Sequence, residues 1–283
     1  MLTILKAGFQ NGPIAMTCVP HQHGSWVAML ALGLPLWTHA AEPRHFKLCY
    51  NEELASSNTR ELAFGMMTRL EAKATFLKFE YVAMPWRRCL KLAESGQFDG
   101  VLSGSHSTER ALSLAYPRKA DGTLDTNKRM YLLGYVLVRR IGTRVEWDGQ
   151  QFLNLEGPLG AQQGYSIVEH LRQMGLKVDD GAKSAQDTLQ KLVLGRVAGV
   201  LINPLNASDL DAQLAWRGKI ERTGKLVMQK PYFLILSQTF AQQQREHATQ
   251  LWNLVEQIRL SDDFRALYNR QMEGVQGADR LLP

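Results

Sequence analysis

Pro85-Trp86-Arg87-Arg88-Cys89-Leu90-Lys91-Leu92-Ala93-Glu94-Ser95-Gly96, followed by Gln97-Phe98-Asp99-Gly100-Val101-Leu102, reads as a helix, a stop and a strand. Pro85 suits a helix start, where its missing N–H costs nothing. Gly96 is placed as the C′ terminator, and Phe98 to Leu102 is a short buried strand. The same order returns downstream: Leu90…Gly96…Gly100-Val101-Leu102 corresponds to Leu189…Gly195…Gly199-Val200-Leu201. Helix–glycine–strand units are common, so coincidence stands beside the reading adopted here, two similar α/β lobes.

Working outward, Phe46 to Tyr50 is a strand. Thr59 to Leu70 carries Leu62, Ala63, Met66, Met67 and Leu70 at helical spacing, with Asn58 and Thr59 as cap candidates. Thr75 to Val82 sets Phe76, Phe79 and Tyr81 among polar positions as a second strand. The order β-α-β-α-β builds a parallel sheet with helices on its faces. Ahead of the second copy lie a strand, Gly157 to Ala161, and a helix, Tyr165 to Met174. At the carboxy end Leu251, Trp252, Val255 and Ile258 share a helix face, and Ser261-Asp262-Asp263 caps a helix carrying Phe264, Leu267 and Tyr268.

The 283 residues, 45% hydrophobic and 21% charged with 23 Gly and 10 Pro, exclude disordered, collagenous and membrane-embedded chains. At roughly 100–200 residues per domain they make one large domain or two modest ones. The net charge of +6 is spread over doublets (Arg87-Arg88, Lys128-Arg129, Arg139-Arg140) without a long basic run, which argues against a nucleic-acid or anionic-membrane binder.

Trp26 to Trp37, WVAMLALGLPLW, carries no charge, and Thr38-His39-Ala40-Ala41 precedes Glu42, the first acidic residue. A short apolar core ending in small residues describes a secretory signal over residues 1–40, cleaved after Ala40. The run falls short of the about 20 residues that span a bilayer. The competing reading is a buried amino-terminal helix. Only Lys6 is basic before the apolar core, so Met16 is a second candidate start, and Cys18 is not placed for lipidation. A periplasmic, exported protein follows. In an oxidising compartment Cys49 and Cys89 become a candidate disulfide, with two buried thiols as the alternative. No metal site is expected, because His21 and His23 fall in the segment to be removed, and no cofactor is implied.

Two lobes imply a cleft, and open α/β sheets bind ligands beyond the carboxyl ends of their strands. Ser103-Gly104-Ser105-His106-Ser107-Thr108-Glu109-Arg110 gathers hydroxyls, an imidazole and a guanidinium at a helix start, a ready carboxylate or phosphate site. The plainer reading is a capping box with Arg110 solvated. Gln162-Gln163-Gly164-Tyr165-Ser166 offers glycine and hydroxyl at a helix start in the second lobe.

Met84-Pro85-Trp86-Arg87-Arg88-Cys89-Leu90, Gly96-Gln97-Phe98-Asp99-Gly100-Val101-Leu102, Ser107-Thr108-Glu109-Arg110-Ala111 and Ala115-Tyr116-Pro117 resemble the family 3 extracellular solute-binding proteins. These are periplasmic receptors of polar amino-acid ABC importers, and the resemblance runs from about Lys47 to Tyr268. It implies an α/β type II periplasmic-binding-protein fold, with lobe one at 44–131 plus 235–283 and an inserted lobe two at 132–234. The crossings would fall near Tyr131 to Gly134 and Pro231 to Ile235.

By that similarity Arg110 would hold a ligand carboxylate, with Ser105, Ser107 and His106 beside it. Gly164, Tyr165 and Ser166 would close from lobe two. Tyr50 and Trp86 are aromatic candidates for the cleft wall or for core. Two departures stand out: Asn203, followed by Pro204, occupies the place where the family carries an acid for the ligand's ammonium, and Asn51 to Arg60 lacks the usual aromatic and Gly-rich stretch.

The resemblance implies a monomeric binding protein that captures a small polar solute, an amino acid or related carboxylate, and delivers it to an inner-membrane ABC permease. The alternative is a periplasmic sensor reporting to a separate membrane receptor. An enzyme is the least supported reading. His106 beside Ser105 and Ser107 would be the candidate base, but the sequence has no Gly-x-Ser-x-Gly elbow.

Overall fold

The computed structural model describes residues 42–56, 59–206 and 213–273, all within the compact unit Glu42–Pro283. The expected signal segment and the cap candidate Asn58 lie outside the described residues.

In chain order, β1 (Arg44–Asn51), a 3₁₀ turn (Glu52–Ser56), α1 (Thr59–Lys73), β2 (Leu77–Met84), α2 (Trp86–Glu94) and β3 (Gly100–Ser105) form the first α/β unit. Next come α3 (Thr108–Ala111), β4 (Leu114–Ala115) and β5 (Tyr131–Arg140). The short strands β6 (Glu146–Trp147) and β7 (Phe152–Leu153) make a separate hairpin. The second unit is β8 (Leu159–Gln162), α4 (Ser166–Gln173), β9 (Val178–Ala182), α5 (Ala185–Val193) and β10 (Gly199–Ile202). The long β11 (Ile220–Ser237) leads into α6 (Gln238–Gln243), α7 (Arg245–Leu260) and α8 (Asp262–Gln271).

One sheet runs through both units in the order β2-β1-β3-β11-β5-β10-β8-β9. β1 pairs in parallel with β2 and β3, and β8 with β9 and β10. Between these parallel halves, β11 runs antiparallel to β5 from Ile220↔Arg140 to Tyr232↔Tyr131, then antiparallel to β3 from Tyr232↔Ser105 to Leu236↔Gly100. The two central strands therefore belong to both halves of a two-lobed fold.

Helix faces follow the apolar spacing. α1 buries Leu62, Ala63, Met66, Met67 and Leu70, and Thr59 is a buried helical residue. α7 buries Leu251, Val255 and Ile258, while Trp252 stays half-buried and donates its indole N–H to the Leu234 carbonyl at 2.9 Å. α8 buries Phe264, Leu267 and Tyr268. Ser261 takes the N-cap position, but its hydroxyl donates back to the Ile258 carbonyl at 2.7 Å. These faces and β1, with Phe46 and Leu48, form one core cluster. α2 packs with Cys49, Phe233 and Ile235 in another, and α5 and α4 each cover a face of the second half. Burying each such side chain stabilises by about 1.5–3 kcal/mol.

The internal echo is a structural repeat. Gly96 and Gly195 stand at φ +74° and +73°, the left-handed region that favours glycine. The N–H of Gly96 reaches the Ala93 carbonyl, and that of Gly195 reaches Leu192, both at 3.0 Å. The next N–H, of Gln97 or Arg196, closes on Leu92 or Lys191 at 2.9 Å. Leu48↔Gly100 and Leu159↔Gly199 then place the two strands alike beside their parallel neighbours.

Several boundaries differ from the sequence reading, among them Gly100 for Phe98 at the start of β3 and Leu159 for Gly157 at the start of β8, and two further shifts bear on the sheet. β2 is an edge strand shifted to Leu77–Met84, leaving Phe76 before it. β3 runs on to Ser105, because β11 supplies pairing partners at Ser105 and Gly104 that the local sequence does not reveal. Cys49 on β1 and Cys89 on α2 are joined as a disulfide.

Candidate functional site

β3 ends at Ser105, and α3 starts three residues on, capped by Ser107, whose Oγ accepts from the Arg110 N–H at 3.3 Å. Ser107 is thus a helix cap, as the plainer reading has it. Arg110 is not solvated: it is 6% exposed. Its Nη1 donates to the Ser105 carbonyl at 2.8 Å, its Nη2 donates to the Gly164 carbonyl, and its guanidinium lies 5.2 Å from the Trp86 ring centroid. Gly164, at φ +77°, belongs to the β8–α4 connection. One side chain therefore ties the two loops together.

Other pairs span the same boundary. Ser105 Oγ and Ser166 Oγ lie 2.7 Å apart. Asn51 Nδ2 donates to the Tyr165 hydroxyl at 2.8 Å, and Trp86 Nε1 to the Gly164 carbonyl at 3.2 Å. The Glu53 carboxylate accepts from Gln162 Nε2 at 2.6 Å and from the Ala185 N–H at 2.9 Å, at the first residue of α5. Burial pushes the Glu53 carboxyl above the usual carboxylate range, while these two bonds pull it back.

Behind these contacts lies a cavity of about 60 Å³. Its wall takes Asn51, Ser105 and Arg110 from the first half and Tyr165, Ser166 and Asn203 from the second, with Tyr135 and Tyr232 from the crossing strands. Trp86 also lines it, packing edge-on against Tyr165 with centroids 6.4 Å apart. Of the residues singled out in the sequence, Arg110, Ser105, Tyr165, Ser166, Asn203 and Trp86 thus meet at one place. Gly164 and Ser107 face the outer groove that shares Arg110 with this cavity.

Tyr50 is elsewhere, its ring edge-on to Phe64 at 5.3 Å in the first core. His106 packs edge-on against Tyr116, with centroids 4.9 Å apart. Burial and then the nearby Arg118 hold its imidazole below the ordinary value. The Ser105 and Ser107 hydroxyls are engaged by Ser166 and Arg110, not by His106. Asn51, Glu53, Tyr135 and Tyr232 were not singled out. The strand-end position of Asn51 and the apolar crossing strands were the available signals for three of them; Glu53 had none. Among the described residues no His, Cys, Asp and Glu group is placed to hold a metal, and no helix is long and apolar enough to cross a membrane.

No protein-family model matches the chain, and no curated protein matches its sequence. Solved structures do match in shape. The GluR0 ligand-binding core from Nostoc punctiforme, in complex with L-glutamate, aligns with a TM-score of 0.58 at 12% identity over 81% of this chain and 99% of that one. An ancestral arginine-binding protein bound to arginine gives 0.60 at 14% identity, over 81% and 99%. A histidine kinase sensor domain with similarity to periplasmic binding proteins gives 0.63 at 10% identity, over 82% and 97%. The fold is that of the periplasmic binding proteins. Within that periplasmic-binding fold, the cavity lies where the halves of the sheet meet, at the carboxyl ends of β1 and β3, the position open α/β sheets use for ligands.

Proposed function

We propose that this protein is an exported solute-binding protein that captures a small polar solute between its lobes for an ABC importer. The observation that carries the reading is Arg110: a buried cation at the lobe boundary, lining a cavity built from both halves of the sheet. The lobes are 44–131 plus 235–283 and 132–234, with residues 1–40 as the export signal, and the chain works as a monomer. Arg110 is the ligand's charge anchor, with Ser105, Ser166 and Asn203 around it. Similar solved structures support a binding role: an arginine-binding protein, a lysine complex of a putative ABC transporter binding component, and a putative L-cystine ABC transporter.

A thermal-shift screen of the full chain against amino acids, carboxylates, oligopeptides and polyamines tests it. A ligand at 100 times its Kd stabilises by about 2.7 kcal/mol, so at least one class should raise Tm by several degrees. Silence across the panel would overturn the reading. The second reading, a sensor reporting to a separate receptor, is favoured by the match to a histidine kinase sensor domain. Neighbouring permease and ATPase genes would decide for transport.

A further inference from the structure

The polar groups that line the cavity are unequal in kind. Asn203, 7% exposed, accepts the Leu205 N–H on its Oδ1 at 2.9 Å. Only the amide oxygen can accept that proton, so the orientation of the amide is set, and its Nδ2 hydrogens are donors the side chain can offer. Asn51 is fixed in the same way: its Oδ1 accepts from the Glu53 N–H at 3.3 Å, and its Nδ2 donates to the Tyr165 hydroxyl. The Tyr165 oxygen is thereby the acceptor, which leaves its own proton to give. Burial keeps that phenol protonated. Arg110 adds a fixed positive charge.

The acceptors in the lining are neutral, the hydroxyls of Thr59, Ser103, Tyr135 and Tyr232 and the Asn206 amide oxygen among them. The Ser105 and Ser166 hydroxyls are bonded to each other. Among the described lining residues there is no carboxylate. The nearby Glu53 is outside the lining and already receives Gln162 and Ala185 of the second half. An ammonium brought here would be desolvated beside a guanidinium with no anionic acceptor, which costs heavily. A carboxylate would meet the opposite situation, with Arg110, Asn203 Nδ2 and the Tyr165 hydroxyl all donors. The rings of Trp86, Tyr135 and Tyr232 offer apolar wall for its body.

We propose that the cleft selects small organic carboxylates that carry no ammonium group. The inference rests on the reading of the cleft as a solute site.

Isothermal titration of the full chain with the matched pairs L-lactate and L-alanine, succinate and L-aspartate, and 3-phenyllactate and L-phenylalanine tests it. In at least one pair the member without nitrogen should bind at least tenfold tighter. Asn203→Asp retains an oxygen for the Leu205 N–H and presents an anionic oxygen to the cavity, so it should shift that preference at least tenfold toward the amino acid. Circular dichroism melting checks its fold; if it does not fold, the wild-type comparison decides alone. Equal or tighter wild-type binding of the amino acids overturns the proposed class and leaves the receptor reading standing. If no member of any pair binds while another class shifts Tm in the wider screen, the carboxylate assignment alone falls. Silence in both measurements overturns the two together.

Discussion

Arg110 donates from Nη2 to the main-chain carbonyl of Gly164, across the line where the two halves of the sheet meet. Its Nη1 holds the Ser105 carbonyl at the end of β3. The guanidinium therefore works inside the chain, while the N–H groups these two bonds leave over are the ones a ligand oxygen could take. Removing the guanidinium takes one donor from each carbonyl, although Trp86 Nε1 still donates to Gly164 at 3.2 Å and the Tyr116 hydroxyl to Ser105 at 3.1 Å. Arg110→Met should lower stability by roughly 1–3 kcal/mol, read as a fall in Tm, and on the proposed function should also weaken solute binding. An unchanged Tm would mean that these bonds contribute nothing net.

Glu53 should give the protein a pH signature. Its carboxyl is held above the ordinary value of 4.5, chiefly because burial disfavours the charged form. The folded chain then holds this proton more tightly than the unfolded one. Its contribution to stability is present at pH below the unfolded value and is lost as pH rises through the raised folded value. Glu53→Gln removes that titration. The Tm difference, wild type minus variant, should therefore fall as pH climbs through the weakly acidic range. Parallel Tm curves for the two proteins would refute the assignment.

The disulfide joins residues 40 apart in sequence. On the chain-entropy account, a closed loop of that length stabilises by about 4 kcal/mol. It ties β1 to α2, the helix that carries Trp86 to the cavity wall. Cys49→Ala/Cys89→Ala should unfold at a clearly lower temperature than wild type, and reductant should lower the wild-type Tm without moving that of the variant. Reductant-insensitive melting of both would show that the bond carries no stability.

The parts of the fold written in short-range pattern were legible. Apolar spacing gave the faces of α1, α7 and α8, and glycine stops with apolar runs gave the repeated helix–strand unit. The meeting of Ser105 and Arg110 with Gly164, Tyr165 and Ser166 was legible as two polar loops at helix starts. What escaped was set by distant partners. The extent of β3 depends on β11, and Ser103 within it sits at φ +65°, with its hydroxyl on Tyr131. Glu53 looked like any surface acid until Gln162 and Ala185 came to it. The resemblance could put Asn203 at the cleft, but the orientation of its amide, with Oδ1 on the Leu205 N–H, is set by the fold.

The repeat makes a last prediction about two glycines in equivalent places. A Cβ on Gly100 would stand 2.4 Å from the main-chain oxygen of Ile235, and one on Gly199 would stand 2.5 Å from Cδ1 of Leu137. The first obstacle is backbone of a central strand paired on both sides and cannot yield without breaking the ladder. The second is the end of a flexible side chain, which can change rotamer. Gly100→Ala should therefore destabilise by several kcal/mol, whereas Gly199→Ala should cost about 1–3 kcal/mol, the usual range for overpacking. Urea unfolding midpoints of the two variants would check the order, and equal midpoints would show that β11 gives way as easily as a leucine.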